Sequence, residues 1–208
     1  MRVKNILFFT ICFSIVLCGC MRTSKQFQQD ADIIRLRHMV YYTELISEYH
    51  AKAGHYPFQG KAEDVPVYVH IANERQQKYV GQDVDHEYEA VSTADFFKEL
   101  ERVIGREIPE HYDPQYVPVY KPNFYVYMVV RDAFFLAVHV HQDFPFARKI
   151  NKHYYKVEVS NKANKKNKAH PPGRLFASEA FQKALSAEIQ KEAFFKAREK
   201  THMRDATP

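Results

Sequence analysis

Residues 24–53 carry apolar or aromatic side chains at every third or fourth position, which is the repeat of one helical face. The pattern predicts one long helix. Gly54 follows it at the position of a helix C-cap, and Pro57 stands three residues later, where it prevents the helix from continuing. The repeat comprises Phe27, Ala31, Ile34, Tyr41, Leu45 and Tyr49, with His38 filling the gap after Ile34, and it is widened by Ile33, Val40, Tyr42 and Ile46.

Four later segments are rich in β-branched and aromatic residues and predict strands. Pro66 restricts the first of them to a sheet edge or to the start of pairing. Arg131 and Asp132 are suited to a tight turn between the second and the third. The close spacing of the last three predicts an antiparallel meander. The four segments are residues 65–72, 124–130, 134–141 and 154–160.

Two further helices complete the pattern. Ser92 or Thr93 can cap a helix that runs to Ile104 and ends at Gly105. Ser178 precedes a last helix that reaches about Lys200. The predicted order is α-β-α-β-β-β-α. We therefore expect an α+β fold, in which the long N-terminal helix and the C-terminal helix pack on a small antiparallel sheet.

The first 20 residues have the features of an export signal. Arg2 and Lys4 precede an apolar run from Ile6 to Cys18, which is too short for a mature membrane-spanning helix of about 20 residues. The run ends in Leu17-Cys18-Gly19-Cys20, which resembles the lipobox of bacterial lipoproteins. The resemblance implies cleavage before Cys20 and acylation of its thiol, so that membrane lipid becomes a partner of the chain.

The lipobox also predicts the organisation and the location of the chain. We expect a signal peptide over 1–19, the lipidated cysteine and a tether over 20–25, a single domain over 26–200 and a tail over 201–208. Met21 follows the cysteine, and by analogy with lipoprotein sorting this favours an outer membrane, facing the periplasm. In a bacterium with one membrane the same signal predicts the outer face of the plasma membrane.

Composition narrows the classes of function. All three cysteines, Cys12, Cys18 and Cys20, lie in the first 20 residues, so the mature domain is expected to fold without a disulfide. Loss of the leader removes two cations and lowers the formal net charge from +5 to +3. A charge this small does not indicate a nucleic-acid partner.

The end of the long helix carries a second, local resemblance. Tyr49, Gly54, Tyr56 and Pro57 match the Tyr-x-x-x-x-Gly-x-Tyr-Pro junction of type II secretion pseudopilins and type IV pilins, over residues 36–58. The resemblance implies a helix that packs on an antiparallel sheet, and a secretion-associated component is one function it would allow. The chain departs from that family because a lipobox stands where a pilin keeps a long apolar helix.

His139-x-His141-x-Asp143 is the sharpest candidate for chemistry. Residues two apart on a strand point to the same side, so two imidazoles and a carboxylate could hold Zn²⁺ or Fe²⁺ with an open coordination position. Such a site could be hydrolytic. The alternative is that Leu136, Val138 and Val140 face the core and that the histidines fall on the half-solvated side of the sheet.

A basic run follows the last predicted strand. It could contact anionic headgroups or an anionic polymer of the envelope, although such runs are commonly solvated loops. The run comprises Lys162, Lys165, Lys166, Lys168 and Arg174.

No complete catalytic constellation is present in the sequence. We therefore expect an envelope lipoprotein that is not an enzyme, needs no cofactor and holds an envelope protein or polymer. A metal-binding domain built on His139 and His141, and a pseudopilin-like component, remain as alternatives.

Overall fold

A computed structural model describes residues 2–77, 87–114, 124–162 and 169–187, with side chains from residue 28 onward except that of Arg75. The fold is α+β, as the sequence predicts. The order of strands in the sheet is β2-β1-β3-β4-β6-β5. The strands are β1 (Val67–Ile71), β2 (Glu89–Val91), β3 (Tyr125–Val130), β4 (Ala133–Val140), β5 (Arg148–Lys149) and β6 (Tyr155–Ser160). The helices are α1 (Arg2–Ala53), α2 (Glu74–Gln77), α3 (Thr93–Ile104), α4 (Pro172–Phe176) and α5 (Glu179–Leu185), with a short 3₁₀ turn at Gln59–Lys61.

Helix α1 confirms the predicted helix over residues 24–53 and begins much earlier, at Arg2. It therefore includes residues 20–25, for which we predicted a tether. That stretch contains neither proline nor an internal turn signal that would end a helix. The C-cap prediction is confirmed, because Gly54 adopts a left-handed φ of 77° and its amide donates to the His50 carbonyl at 2.9 Å.

The buried face of α1 differs from the predicted repeat. Ile34 and Tyr41 are only partly buried. The completely buried stripe advances by steps of four and three from a charged residue: Arg35, Met39, Tyr42, Ile46 and Tyr49. Three members of the predicted repeat, Ala31, Leu45 and Tyr49, are buried, but the centre of the core face lies about one residue away from the predicted one.

The predicted meander is confirmed. Strands β3, β4 and β6 pair antiparallel, and the turn at Arg131 and Asp132 joins the first two. Arg131 has a φ of 50°, as one of the tight hairpin turns requires. The same sheet extends further on both sides than the sequence indicated.

The sheet is mixed, which corrects the prediction that it is antiparallel throughout. Strand β2 pairs parallel with β1, and Val67, Tyr68 and Val69 face Glu89, Ala90 and Val91. Parallel neighbours need a crossover, and the chain between β1 and β2 starts that crossover with α2. β2 and the two-residue β5 have no alternating apolar pattern, so nothing in their sequences marked them as strands.

The remaining helices follow the predicted signals in part. The Ser92 hydroxyl caps α3 by accepting from the Asp95 amide, and Gly105 ends the helix with a φ of 82°. Ser178 caps α5, but α5 ends at Leu185, one residue before its C-cap Ser186. The predicted helix beyond residue 187 and the tail over 201–208 lie outside the described residues. Helix α4, which begins at Pro172, is an addition.

All described helices that reach the core lie on one face of the sheet. α1 and α3 contribute rows of buried side chains, and Leu175 of α4 and Phe181 of α5 join the same cluster. The strands present alternate residues to it, with Val69, Tyr127 and Leu136 fully buried. Within the described part of the chain, no helix has the length of apolar sequence that a bilayer crossing requires.

Candidate functional site

The described residues cover the opposite face of the sheet only in part, and we call it the open face. Its central side chains belong to β3 and β4 and are apolar but partly exposed. They line a shallow cavity of about 250 Å³. The open face comprises Tyr68, Val126, Met128, Phe135, Ala137, His139, Lys156 and Glu158.

Strand register arranges these residues in rows that cross the sheet. Val126 lies opposite Ala137, and Met128 lies opposite Phe135. Directly paired residues of antiparallel strands point to the same side, so these four form one continuous apolar patch. An antiparallel sheet that exposes one face normally covers it with polar side chains. An apolar centre on the exposed side is therefore a candidate binding surface.

Aromatic rings border one end of the patch. The Tyr68 ring lies 5.0 Å from that of Tyr88, and the His70 ring lies 5.2 Å from that of Phe124 in an edge-to-face arrangement. Burial lowers the pKa of His70 to about 4. His70 is therefore neutral near pH 7, and this end of the open face is aromatic and uncharged.

Charged groups border the other end. Lys156 forms an ion pair with Glu158, two residues along the same strand, and Glu158 is only 5 % exposed. Arg148 of β5 lies opposite Lys156, and Lys156 lies opposite His139. The Arg148 Nε is buried, and within the described residues it has no hydrogen-bond partner. A buried donor without a partner is rare and needs an explanation.

The structure does not bring His139, His141 and Asp143 together. His139 lies on the open face, where its ring is 4.9 Å from that of Tyr154. β4 ends at Val140, so His141 no longer follows strand alternation. Its Nδ1 instead lies 3.2 Å from the Arg35 Nη1, and a guanidinium nitrogen only donates, so Nδ1 accepts there.

Asp143 lies apart from both histidines. Asp143 is exposed. The pKa of Tyr155 is raised, mainly because its hydroxyl loses contact with water and secondly because the Asp143 carboxylate lies close to it. Among the described side chains no cluster of three histidine, cysteine or acidic residues has the spacing of a metal site. Leu136, Val138 and Val140 do face the core, as the alternative interpretation of the strand predicts.

The basic run is described only at its ends. Lys162, just after β6, pairs with Asp132 of the β3–β4 turn, and Arg174 is exposed on α4. Lys165, Lys166 and Lys168 lie outside the described residues. At the predicted acylation site, Cys20, the structure describes the backbone, which belongs to α1, but not the side chain.

A second group of polar side chains, which no pattern in the sequence predicted, lies inside the core. Arg35 is fully buried, and its Nε and Nη2 donate to the two carboxylate oxygens of Asp113 at 2.7 and 2.9 Å. Its Nη1 donates to Asp32 at 2.7 Å. Burial opposes the charge of the guanidinium, but Asp113 and Asp32 more than offset this and raise the pKa of Arg35.

Asp32 extends this network to the sheet. Its second oxygen accepts the backbone amides of His141 at 2.9 Å and Gln142 at 2.8 Å. Asp113 is held in turn, because its carbonyl accepts from the Gln76 side-chain amide at 3.2 Å. The network thus joins α1, α2, the end of β4 and the loop that follows α3. We call it the Arg35 network.

Stacked histidines adjoin the Arg35 network. The His38 ring lies 4.8 Å from that of His111, and its Nδ1 is 2.7 Å from the Tyr125 hydroxyl oxygen. Burial, with smaller contributions from His111 and Arg35, lowers the pKa of His38 to about 3. The Tyr42 hydroxyl donates to the His111 carbonyl and accepts from its amide. These groups hold the loop against α1 as neutral partners.

One sequence signal could have revealed the Arg35 network. Arg35 occupies a position of the apolar stripe of α1, four residues before Met39, and Asp32 precedes it by three. A charge inside a core stripe requires a buried partner. The identity of the second partner could not be read, because Asp113 is 78 residues away along the chain.

No protein-family model matches the chain, and neither the curated proteins nor the solved structures compared with it give a match.

The Arg35 network makes a prediction about stability. Arg35→Met removes the counter-charge of two fully buried carboxylates, and we expect it to lower the free energy of unfolding by about 3–5 kcal/mol. Arg102→Met is the control, because Arg102 pairs with Glu99 at an exposed position. Urea unfolding followed by circular dichroism measures both. Equal effects of the two replacements would contradict a structural role for the network.

His38 makes a prediction about pH. The folded-state pKa of His38 is about 3 and the ordinary value is 6.5, so the unfolded chain binds a proton that the folded chain does not. The stabilising contribution is complete above about pH 6.5 and is lost as the pH falls toward 3, by about 1.4 kcal/mol per pH unit. His70 and His111, whose pKa values are also lowered, act in the same direction.

The test compares slopes rather than absolute stabilities. Between about pH 6 and about pH 5, His38→Gln should reduce the slope of the unfolding free energy against pH by about 1.4 kcal/mol per pH unit, the slope that one proton contributes. The exposed His55 supplies the matched control variant, His55→Gln, against which the slope of His38→Gln is compared. An unchanged slope in His38→Gln would show that His38 is not held neutral in the fold.

Proposed function

We propose that the chain is a lipid-anchored binding protein of a bacterial cell envelope, not an enzyme, and that it holds its partner on the open face. The observation that carries the binding role is the apolar centre of the open face, formed by Val126, Ala137, Met128 and Phe135. Exposed apolar patches that are rimmed by polar groups are typical of binding surfaces.

Two features support the anchoring part of the proposal. Leu17-Cys18-Gly19-Cys20 resembles a lipobox, and a thiol that carries acyl chains attaches a protein to a membrane durably. Helix α1 connects that site to the sheet, and the 10 residues from Cys20 to Asp30 rise by about 15 Å in a helix. In a bacterium with two membranes, Met21 favours the periplasmic face of the outer membrane.

The anchoring proposal predicts that acylation depends on one cysteine. A palmitate analogue that is fed to a bacterial host expressing the chain should label the protein, and Cys20→Ser should abolish the label. The precursor should then keep residues 1–19 when its mass is measured. Cys18→Ser is the matched control and should remain labelled. A wild-type chain without label, or a Cys20→Ser chain that keeps it, would refute lipid anchoring.

The binding proposal predicts where a partner contacts the domain. A photoreactive benzoylphenylalanine at position 128, on the open face, should form an adduct of discrete mass in living cells. The same residue at position 51, an exposed position of α1, should not. Ala137→Trp should suppress the adduct, because the indole would occupy the apolar patch. Equal adducts at both positions would refute the open face as the binding surface.

A further inference from the structure

The open face has two chemically different ends, and this polarity indicates what it binds. Tyr68, Tyr88 and the neutral His70 border one end, and Arg148 and Lys156 border the other. The apolar rows of β3 and β4 lie between them. A ligand that matches the whole face has an apolar body and one charged end.

The sign of that charge follows from the residues at the polar end. Glu158 is paired with Lys156, so these two charges compensate each other. The guanidinium of Arg148 adds a positive charge, and its Nε–H is the buried donor without a partner in the described part of the chain. A carboxylate is an acceptor that a planar guanidinium binds with high geometric specificity. An anionic group at this end would satisfy the unpaired donor.

The size of the cavity limits the apolar body. Its volume of about 250 Å³ equals roughly eight water-sized volumes, so a single chain of about eight to ten carbons fills it. This space matches one acyl chain better than the two of a phospholipid. The cavity is also concave, whereas a surface that rests on a bilayer would be flat or convex.

We propose that the open face binds a single-chain amphiphile with an anionic carboxylate, such as a fatty acid. The chain lies over Val126, Ala137, Met128 and Phe135, and the carboxylate lies against Arg148. This inference rests on the proposed function and specifies the chemical class of its ligand.

Photolabelling with mass-spectrometric mapping tests the proposal on the full-length chain in nanodiscs of zwitterionic phospholipid. The probe is decanoic acid with a terminal diazirine, and the matched probe carries trimethylammonium instead of the carboxylate. The decanoate probe should label peptides that contain β3 and β4, and the cationic probe should label them at least tenfold less, on the scale of a charge-assisted hydrogen bond. Equal labelling by the two probes would overturn the proposal.

Variants separate the two ends of the ligand. Ala137→Trp, with Ala137→Leu as a milder variant, should reduce labelling of β3 and β4 because the larger side chains occupy the patch. Arg148→Gln should reduce labelling by the decanoate probe about tenfold and leave that by the cationic probe unchanged. Ala51→Trp and Arg174→Gln, at exposed positions away from the open face, are the controls. Failure of Arg148→Gln to discriminate the probes would overturn the assignment of the anionic end.

Other occupants give different outcomes. Labelling of β3 and β4 by a photoreactive phosphatidylglycerol in the nanodisc, without labelling by decanoate, would overturn the proposal in favour of a bilayer surface. Absence of decanoate labelling, together with an intact adduct at position 128 in cells, would reject the amphiphile but leave the binding function standing. Absence of both would reject the binding function, and loss of Cys20 acylation would reject the anchor alone.

Discussion

The buried charge of Arg35 is the constraint on which the packing of this domain depends. Removing a guanidinium from water costs several kcal/mol, and only paired carboxylates at hydrogen-bond distance offset that cost. One of them, Asp32, lies on the same helix, but Asp113 comes from the loop after α3. Packing of helix α1 on the sheet therefore requires the loop after α3 to bring Asp113 to Arg35.

Asp32 connects this requirement to the sheet itself. It accepts the backbone amides of the two residues that follow β4, so the carboxylate that neutralises Arg35 also fixes the point at which the central strand ends. The end of β4 also determines where the side chains of His139 and His141 lie. Strand alternation would place His139 and His141 on one side, but β4 stops between them, and they enter different surroundings.

The placement of α1, α3, α4 and α5 on one side of the sheet creates the open face on the other. A six-stranded sheet whose central strands are apolar on both sides has more apolar surface than the described helices cover. The excess lies over β3 and β4, between an aromatic border and a charged one. Among the described residues the buried Arg148 Nε at the charged border has no hydrogen-bond partner, and the proposed orientation of a ligand on the open face depends on it.

Local chemistry let the sequence determine the long helix and its glycine cap, the three-stranded meander with its Arg131–Asp132 turn, and the serine caps of α3 and α5. Each of these depends on residues that are close along the chain, so periodicity and turn signals were enough to find them. The parallel pairing of β2, the two-residue β5 and the exact core face of α1 depend on distant partners, and the sequence did not reveal them.

The same division holds for the candidate sites. The sequence alone carries the tetrapeptide that resembles a lipobox and predicts acylation of Cys20, because a processing signal is a local pattern. Only the tertiary structure separated His139 from His141, joined Arg35 to Asp113, and aligned Arg148, Lys156 and His139 from three strands along one row. Strand register and the end points of strands decide such neighbours, and both are set by the burial of the whole sheet rather than by any single segment.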